Sequence, residues 1–178
     1  MRDLADVLPL RSGNTVLRLM QIDDAIEFQR YRSDAELARY QGWSAISVEE
    51  AREFVSPMSL VTSLKLGDWV QLAIAASETN TIICDVGSFV DVHDAEAEIG
   101  FTLCHEAQGH GHATNAVNAA AQLIFADANV KRIRAVTDAR NLTSMRVLER
   151  AAFRRVGEQR AEFKGELCTE LLCMRDRE

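Results

Sequence analysis

Three apolar runs, Trp69 to Ala75, Thr81 to Val92 and Ala95 to Leu103, are separated only by Ser77-Glu-Thr-Asn80 and His93-Asp94. Joins that short and polar force the chain back on itself, so the runs read as an antiparallel meander of three strands. Next comes Gln108-Gly-His-Gly-His-Ala-Thr114. From His112 to Ala128, residues Ala113, Val117, Ala120, Ala121, Ile124 and Phe125 then recur at helical spacing. The alanines would let that helix pack closely on a sheet.

The glycine-rich junction can do more than turn the chain. Gly109 and Gly111 have no Cβ, so several backbone N–H groups can approach a ligand together. The first N–H groups of the following helix lack internal partners and carry the positive end of its dipole, which favours a pyrophosphate. Glycines also simply separate elements, and both readings stand on spacing alone. Neither of two common phosphate motifs is present: no Gly-Lys-Ser/Thr follows, and no third glycine lies three residues after Gly111.

The remaining pattern extends the sheet. Asn14 to Met20 reads as a strand after the Ser12-Gly13 turn, and Asp23-Asp24 opens a helix with Ile22, Ile26, Phe28 and Tyr31 on its apolar face. Ser33-Asp34 starts a short helix toward Tyr40, and Gln41-Gly42-Trp43-Ser44 breaks the pattern. Ser47-Val-Glu-Glu50 has capping-box spacing and predicts a helix running until the residue before Pro57 or slightly past it. Lys131 to Thr137, Phe153 to Gln159 and Leu167 to Met174 read as strands, with an Asn141 to Ala151 helix between the first two. A meander followed by β-α-β crossovers implies an α/β chain, a mixed sheet with helices on both faces.

Composition limits the function. With 178 residues, 47% hydrophobic, the chain is sized for one domain, residues 1–178. A net charge of −7, from 20 basic and 27 acidic residues, argues against binding nucleic acid through phosphate contacts and suits a cationic or amine substrate. It leaves a homodimer and docking on a basic partner open. The sequence has no long apolar run and no apolar signal core, so no membrane association and a cytoplasmic location are expected. Cys84, Cys104, Cys168 and Cys173 fall in apolar runs and read as free, mostly buried thiols. Cys104, His105, His110 and His112 lie close in sequence, but a strand residue and histidines straddling a glycine turn are poorly placed to converge, so no metal is expected.

Three segments together resemble the GCN5-related N-acetyltransferase (GNAT) superfamily, in its RimJ/RimL-like branch of ribosomal-protein alanine acetyltransferases. Gln108-Gly-His-Gly-His-Ala113 is similar to the family's Gln/Arg-x-x-Gly-x-Gly/Ala coenzyme A motif, and Ala97-Glu-Ile-Gly-Phe-Thr-Leu103 to the strand before it. Asn141-Leu-Thr-Ser-Met-Arg-Val-Leu-Glu-Arg-Ala-Ala-Phe153 resembles the later Asn-x-x-Ser…Leu-Glu-x-x-Gly-Phe segment, and Tyr40-Gln-Gly-Trp43 an N-terminal aromatic loop. The resemblance runs from about Thr15 to Met174. It implies a mostly antiparallel mixed sheet of about seven strands, the fourth and fifth splayed so that the pantetheine arm of acetyl-CoA inserts between them.

The resemblance also implies roles. Backbone N–H groups of Gly109, His110, Gly111, His112, Ala113 and Thr114, with Gln108 beside them, would hold the cofactor's pyrophosphate. Phe101 and Leu103 would flank the thioester, and Asn141 would contact the cofactor. The acetyl group would pass directly to a protein N-terminal α-amine or a small-molecule amine in a ternary complex. The superfamily's usual tyrosine acid is replaced by Leu148, and Ser144 resembles the serine that the RimJ/RimL-like branch uses instead, which implies it as proton donor to the thiolate. Glu98 is the candidate base, and Tyr40 and Trp43 would line the acceptor site. Asn115, Ala152 and His112 depart from the usual Glu, Gly and aromatic residues. These departures, with Leu148, keep open a non-catalytic acyl-CoA-binding or regulatory module.

Overall fold

The computed structural model describes residues 3–64, 66–91, 93, 95–127 and 129–177. The expected strand end at Val92, the turn residue Asp94 and the helix end at Ala128 lie outside the described residues.

The chain begins with a short helix, α1 (Leu4–Val7), and a hairpin of β1 (Leu10–Ser12) and β2 (Thr15–Arg18). A 3₁₀ turn at Ile22–Asp24 leads into α2 (Ala25–Arg32), α3 (Ala35–Ala38) and α4 (Val48–Met58). The meander follows as β3 (Trp69–Ala76), β4 (Ile82–Val90) and β5 (Glu96–Leu103). Then come a 3₁₀ turn at His105–Ala107, α5 (His112–Asp127), β6 (Arg132–Asp138), α6 (Leu142–Arg150), β7 (Arg154–Phe163) and β8 (Glu166–Asp176).

Local chemistry explains the boundaries. Ser47 and Glu50 form the expected capping box, Ser47 Oγ accepting from Glu50 N at 3.2 Å and Glu50 Oε2 from Ser47 N at 2.7 Å. The helix runs one residue past Pro57, inside the predicted range. α6 ends at Ala152, which takes a left-handed φ of +63° while Phe153 N bonds Leu148 O at 2.9 Å. Glycine favours that conformation and alanine resists it.

One sheet has the order β1-β2-β3-β4-β5-β6-β8-β7. It has eight strands where about seven were expected; the extra one, β1, is three residues long, too short to carry a periodic signal. β5 and β6 form the parallel pair, in register only at Glu96↔Arg132, Ala97↔Ile133 and Glu98↔Arg134. Beyond Glu98 the strands part, opening the splay, while β6 pairs with β8 from Arg132 to Asp138. α2 reaches one face, where Tyr31 and Arg32 bond Asp85. Cys84 and Val86 alternate onto the opposite face, where α5 packs across β1 to β5. Its fully buried Ala116, Val117 and Ala121 permit that close approach. All four cysteines are buried and free.

Candidate active site

The glycine loop is built for close approach. Gly109 and Gly111 adopt φ of +80° and +84°, and a Cβ built on either meets nothing within 4 Å. The backbone therefore needs glycine there and faces open space. Gln108 N donates to His105 O, and the next loop donor bound to backbone is Asn115 N, to Gly111 O. The six N–H groups from Gly109 to Thr114 have no acceptor among the described residues. At the head of a 16-residue helix they form an anion cradle that fits a pyrophosphate.

The splay supplies a second set of donors. Cys104 N bonds β4 at Ile83 O, so alternation turns the N–H and C=O groups of Leu103 and Phe101 toward the gap. Gln41 Nε2 donates to Phe101 O at 3.2 Å, and Gln108 Nε2 to Leu103 O at 3.0 Å. The two N–H groups are left as donors along the strand edge.

The cradle and this edge share one cavity of about 670 Å³ with Asn141 and Ser144. Asn141 caps α6, its Oδ1 accepting from Ser144 N at 3.1 Å. Ser144 thus stands in the first turn of α6, at the positive end of the helix dipole. Of the expected cofactor residues, Phe101, Leu103, Gln108, Gly109, Gly111, Ala113, Thr114 and Asn141 line this cleft. The side chains of His110 and His112 do not: His110 Nδ1 donates to Gln108 O at 2.8 Å, and His112 Nδ1 pairs with Thr15 Oγ1 at 2.9 Å. Burial, with His110 nearby, depresses the His112 pKa. Asn115 lies in the same patch, donating to Asn14 Oδ1 at 3.2 Å, so both departures from the family pattern tie α5 to the β1–β2 hairpin. Of the clustered Cys104, His105, His110 and His112, His105 faces Asp34 and Glu36, and Cys104 hydrogen-bonds Cys84.

A second cavity, of about 750 Å³, is lined by Tyr40, Trp43, Phe54, Trp69, Phe163 and Glu98. Glu98 lies there, apart from Ser144, and pairs with Arg134 at 2.8 Å. Tyr40, Gln41, Phe101 and Thr102 line both cavities, so the two meet at the splay.

The wall of this second cavity is held by groups the sequence reading did not single out. Asp85 accepts from Tyr31 Oη at 2.6 Å and from Arg32 Nη2 at 3.0 Å, all three being buried. Desolvation, with Asp85 beside it, keeps the Tyr31 phenol protonated. The Arg32 guanidinium stacks over Trp43 at 4.6 Å and Phe28 at 4.7 Å. Lys164, at the tip of the β7–β8 hairpin, donates to Ala38 O at 2.8 Å and Trp43 O at 2.9 Å, fastening the aromatic loop. A lone Asp85 inside the apolar run Ile82 to Val86 was the available signal, because a strand buries a carboxylate only with partners.

Residues 14–154 match the family described as Acetyltransferase (GNAT) domain, and the chain belongs to that family. It is an acetyltransferase of the N-acetylating type. Over 151 residues it is 29% identical to the uncharacterized N-acetyltransferase p20 of Bacillus licheniformis, covering 83% of each chain. Its fold matches the ribosomal-protein-S5-alanine acetyltransferase of Vibrio fischeri with a TM-score of 0.81 at 21% identity, over 95% of this chain and 96% of that one. It also matches RimL, a ribosomal α-N-protein acetyltransferase in complex with coenzyme A, with a TM-score of 0.80 at 20% identity, over 93% and 95% of the chains.

Proposed function

We propose that the chain transfers an acetyl group from acetyl-CoA directly to a primary amine, with the cofactor in the glycine-loop cleft and the amine in the aromatic cavity. The observation that carries this reading is the junction of the two cavities at Tyr40, Gln41, Phe101 and Thr102. The RimJ/RimL-like motifs and the fold of the ribosomal-protein acetyltransferases support a protein N-terminal α-amine as one acceptor class, beside small-molecule amines.

Acetyl-CoA supplies an activated acetyl thioester when bound. The N–H groups of Phe101 and Leu103 are the donors available to polarise its carbonyl. The amine nitrogen forms the new N–C bond, the C–S bond breaks, the amine gives up a proton and the sulfur gains one. Ser144 donates that proton, Asn141 holding its turn in place, and the first-turn dipole of α6 favours the developing thiolate. Glu98 accepts the amine proton, directly or through water, with Arg134 fixing its carboxylate at the cavity wall. Tyr40 and Trp43 receive the acceptor. The buried Gln71 Oε1, which has no hydrogen-bond partner and belongs to a residue lining the same cavity, is an acceptor suited to an amine N–H. Cys168 lines this cavity as well, but desolvation raises its pKa, which disfavours a covalent acyl-enzyme. No described helix is long and apolar enough to cross a membrane.

The test is free-thiol release from acetyl-CoA against peptides of varied first residue and a panel of small amines. Release with an acceptor and intersecting initial-velocity lines are expected. Tight acetyl-CoA binding with no release across the panel would overturn the reading in favour of a binding module.

A further inference from the structure

Two buried side-chain atoms among the described residues lack a hydrogen-bond partner, Gln71 Oε1 and Arg32 Nε, and both belong to residues lining the aromatic cavity. Folded chains pair nearly all such groups, so two orphans in one cavity call for a reason. Arg32 is at least held through Nη2 by Asp85. The Gln71 carboxamide makes no hydrogen bond with a described residue at either end. The sheet shows what holds it instead. Gln71 on β3 is opposite Gly87 on β4, and Gly87 is opposite Gly100 on β5, so the three form one row across the sheet. A Cβ at Gly87 would stand 2.5 Å from Gln71 Oε1 and 2.8 Å from Nε2, so the carboxamide lies across bare backbone. Gly87 has no left-handed φ, and this contact is what its missing side chain permits. At Gly100 a Cβ would meet nothing within 4 Å, so the floor beyond the carboxamide is open to the cavity.

We infer that Gln71 is a specificity-determining residue whose carboxamide pairs with an amide edge of the acceptor, an N–H and a C=O presented on the same side. This rests on the reading that the amine occupies the aromatic cavity. Hydrogen-bond inventory decides between acceptors. A simple ammonium ion carries donors alone, so it can use Oε1 and leaves Nε2 unmatched. An ester or a carboxylate carries acceptors alone and leaves Oε1 unmatched. Leaving a buried polar group unpaired is what lets a site reject an analogue. A partner with one donor and one acceptor matches both ends. A primary carboxamide offers that edge on a single group. One residue of an extended peptide offers it too, because its own N–H and C=O point to the same side of the strand. Glu98 stands two residues from Gly100 and therefore on the same face of β5. An amine at Glu98 and an amide edge over Gly100 are thus roughly 7 Å apart along the strand, a span that one aminoacyl residue bridges with its hydrogen bonds. The floor of the cavity selects amines that carry an amide close to the reacting nitrogen.

The test measures kcat/KM by thiol release from acetyl-CoA on the full chain, with alaninamide, alanyl-alanine N-methylamide, alanine methyl ester and isopropylamine as acceptors. The first two carry the edge as a carboxamide and as an extended residue, the ester lacks the N–H, and isopropylamine lacks both groups. Wild type is expected to favour the better amide over the ester by about tenfold or more, and whichever amide leads identifies the source of the edge. Gln71→Met keeps the length without either polar end, and Gly87→Ala displaces the carboxamide with its Cβ. Both should remove most of that ratio. Gln71→Glu keeps acceptors and loses the donor, so it should shift the preference toward isopropylamine. Comparing ratios between variants cancels the differing basicity of the acceptors. Coenzyme A affinity by calorimetry should stay at the wild-type value in all three variants, which reports that the fold is intact. Equal wild-type rates for amides and ester, or a ratio that survives both Gln71→Met and Gly87→Ala, would overturn the role of Gln71 and leave acetyl transfer to amines standing. Release of thiol with none of the acceptors would overturn both.

Discussion

The two cavities that meet at the splay carry opposite charge. The cofactor side presents Arg39, Arg146 and Arg150 against one carboxylate, Glu36. The aromatic cavity presents Asp68, Asp85, Glu98, Asp138 and Glu170, of which Asp85, Glu98 and Asp138 are paired with Arg32, Arg134 and Arg140. A chain of net charge −7 has an unfavourable long-range field for an anionic cofactor and a favourable one for an ammonium ion. In the proposed reading, anion binding falls to local devices, namely unaccepted N–H groups and a helix dipole. The acceptor side follows the overall charge and adds aromatic walls. The two cavities share Tyr40, Gln41, Phe101 and Thr102.

The contrast can be broken from either side. The largest effect is expected from Asp85→Ala, which strands the buried Arg32 and Tyr31: unfolding in urea should show a loss of about 3–5 kcal/mol. Next is Gly111→Leu, which strains a φ of +84° and fills the open side of the cradle. Coenzyme A affinity should fall about 100-fold or more by calorimetry, while the acceptor cavity keeps its structure. Ser144→Ala touches the glycine-loop cleft alone. Turnover should drop about tenfold or more with cofactor affinity unchanged, and unchanged turnover removes Ser144 from the mechanism. Ala152→Gly, which lines neither cavity, should stabilise the fold by about 1 kcal/mol in the same urea assay by relieving the left-handed cap.

The smallest effect concerns pH. His112 has its folded pKa below its unfolded one, so the unfolded state binds the proton more readily. That contribution to stability is complete above the unfolded value of 6.5 and declines as pH falls from there toward the folded value. His112→Gln should flatten this part of the stability profile, as followed by urea midpoints between neutral and mildly acidic pH.

Periodicity made the strands, the long helices and the glycine loop legible, because those features are local. β1 was not, being three residues that owe their strand state to pairing with β2. The cofactor wall was read more completely than the acceptor wall for the same reason. A glycine junction and an N-cap at Asn141 are written in consecutive residues. The Asp85–Arg32–Tyr31 network and the Lys164 contacts join side chains 53 or more positions apart, and only the fold brings them together. Glu98 was found as a carboxylate on the right strand, but its pairing with Arg134 follows from the parallel register. For His110 and His112 the sequence located the backbone and could not say that the imidazoles turn outward.

The strand order gives the protein a calendar. β8 is the last of the eight strands along the chain, yet it lies inside the sheet between β6 and β7. A ribosome delivers the glycine loop and β6 first, and β6 then waits with one side bare until residues 166–176 emerge. Lys164, which ties down the aromatic loop, and Phe163, which walls the acceptor cavity, arrive only just before them. The hairpin that fastens the aromatic loop and walls the aromatic cavity is therefore the last of that cavity's walls to leave the ribosome.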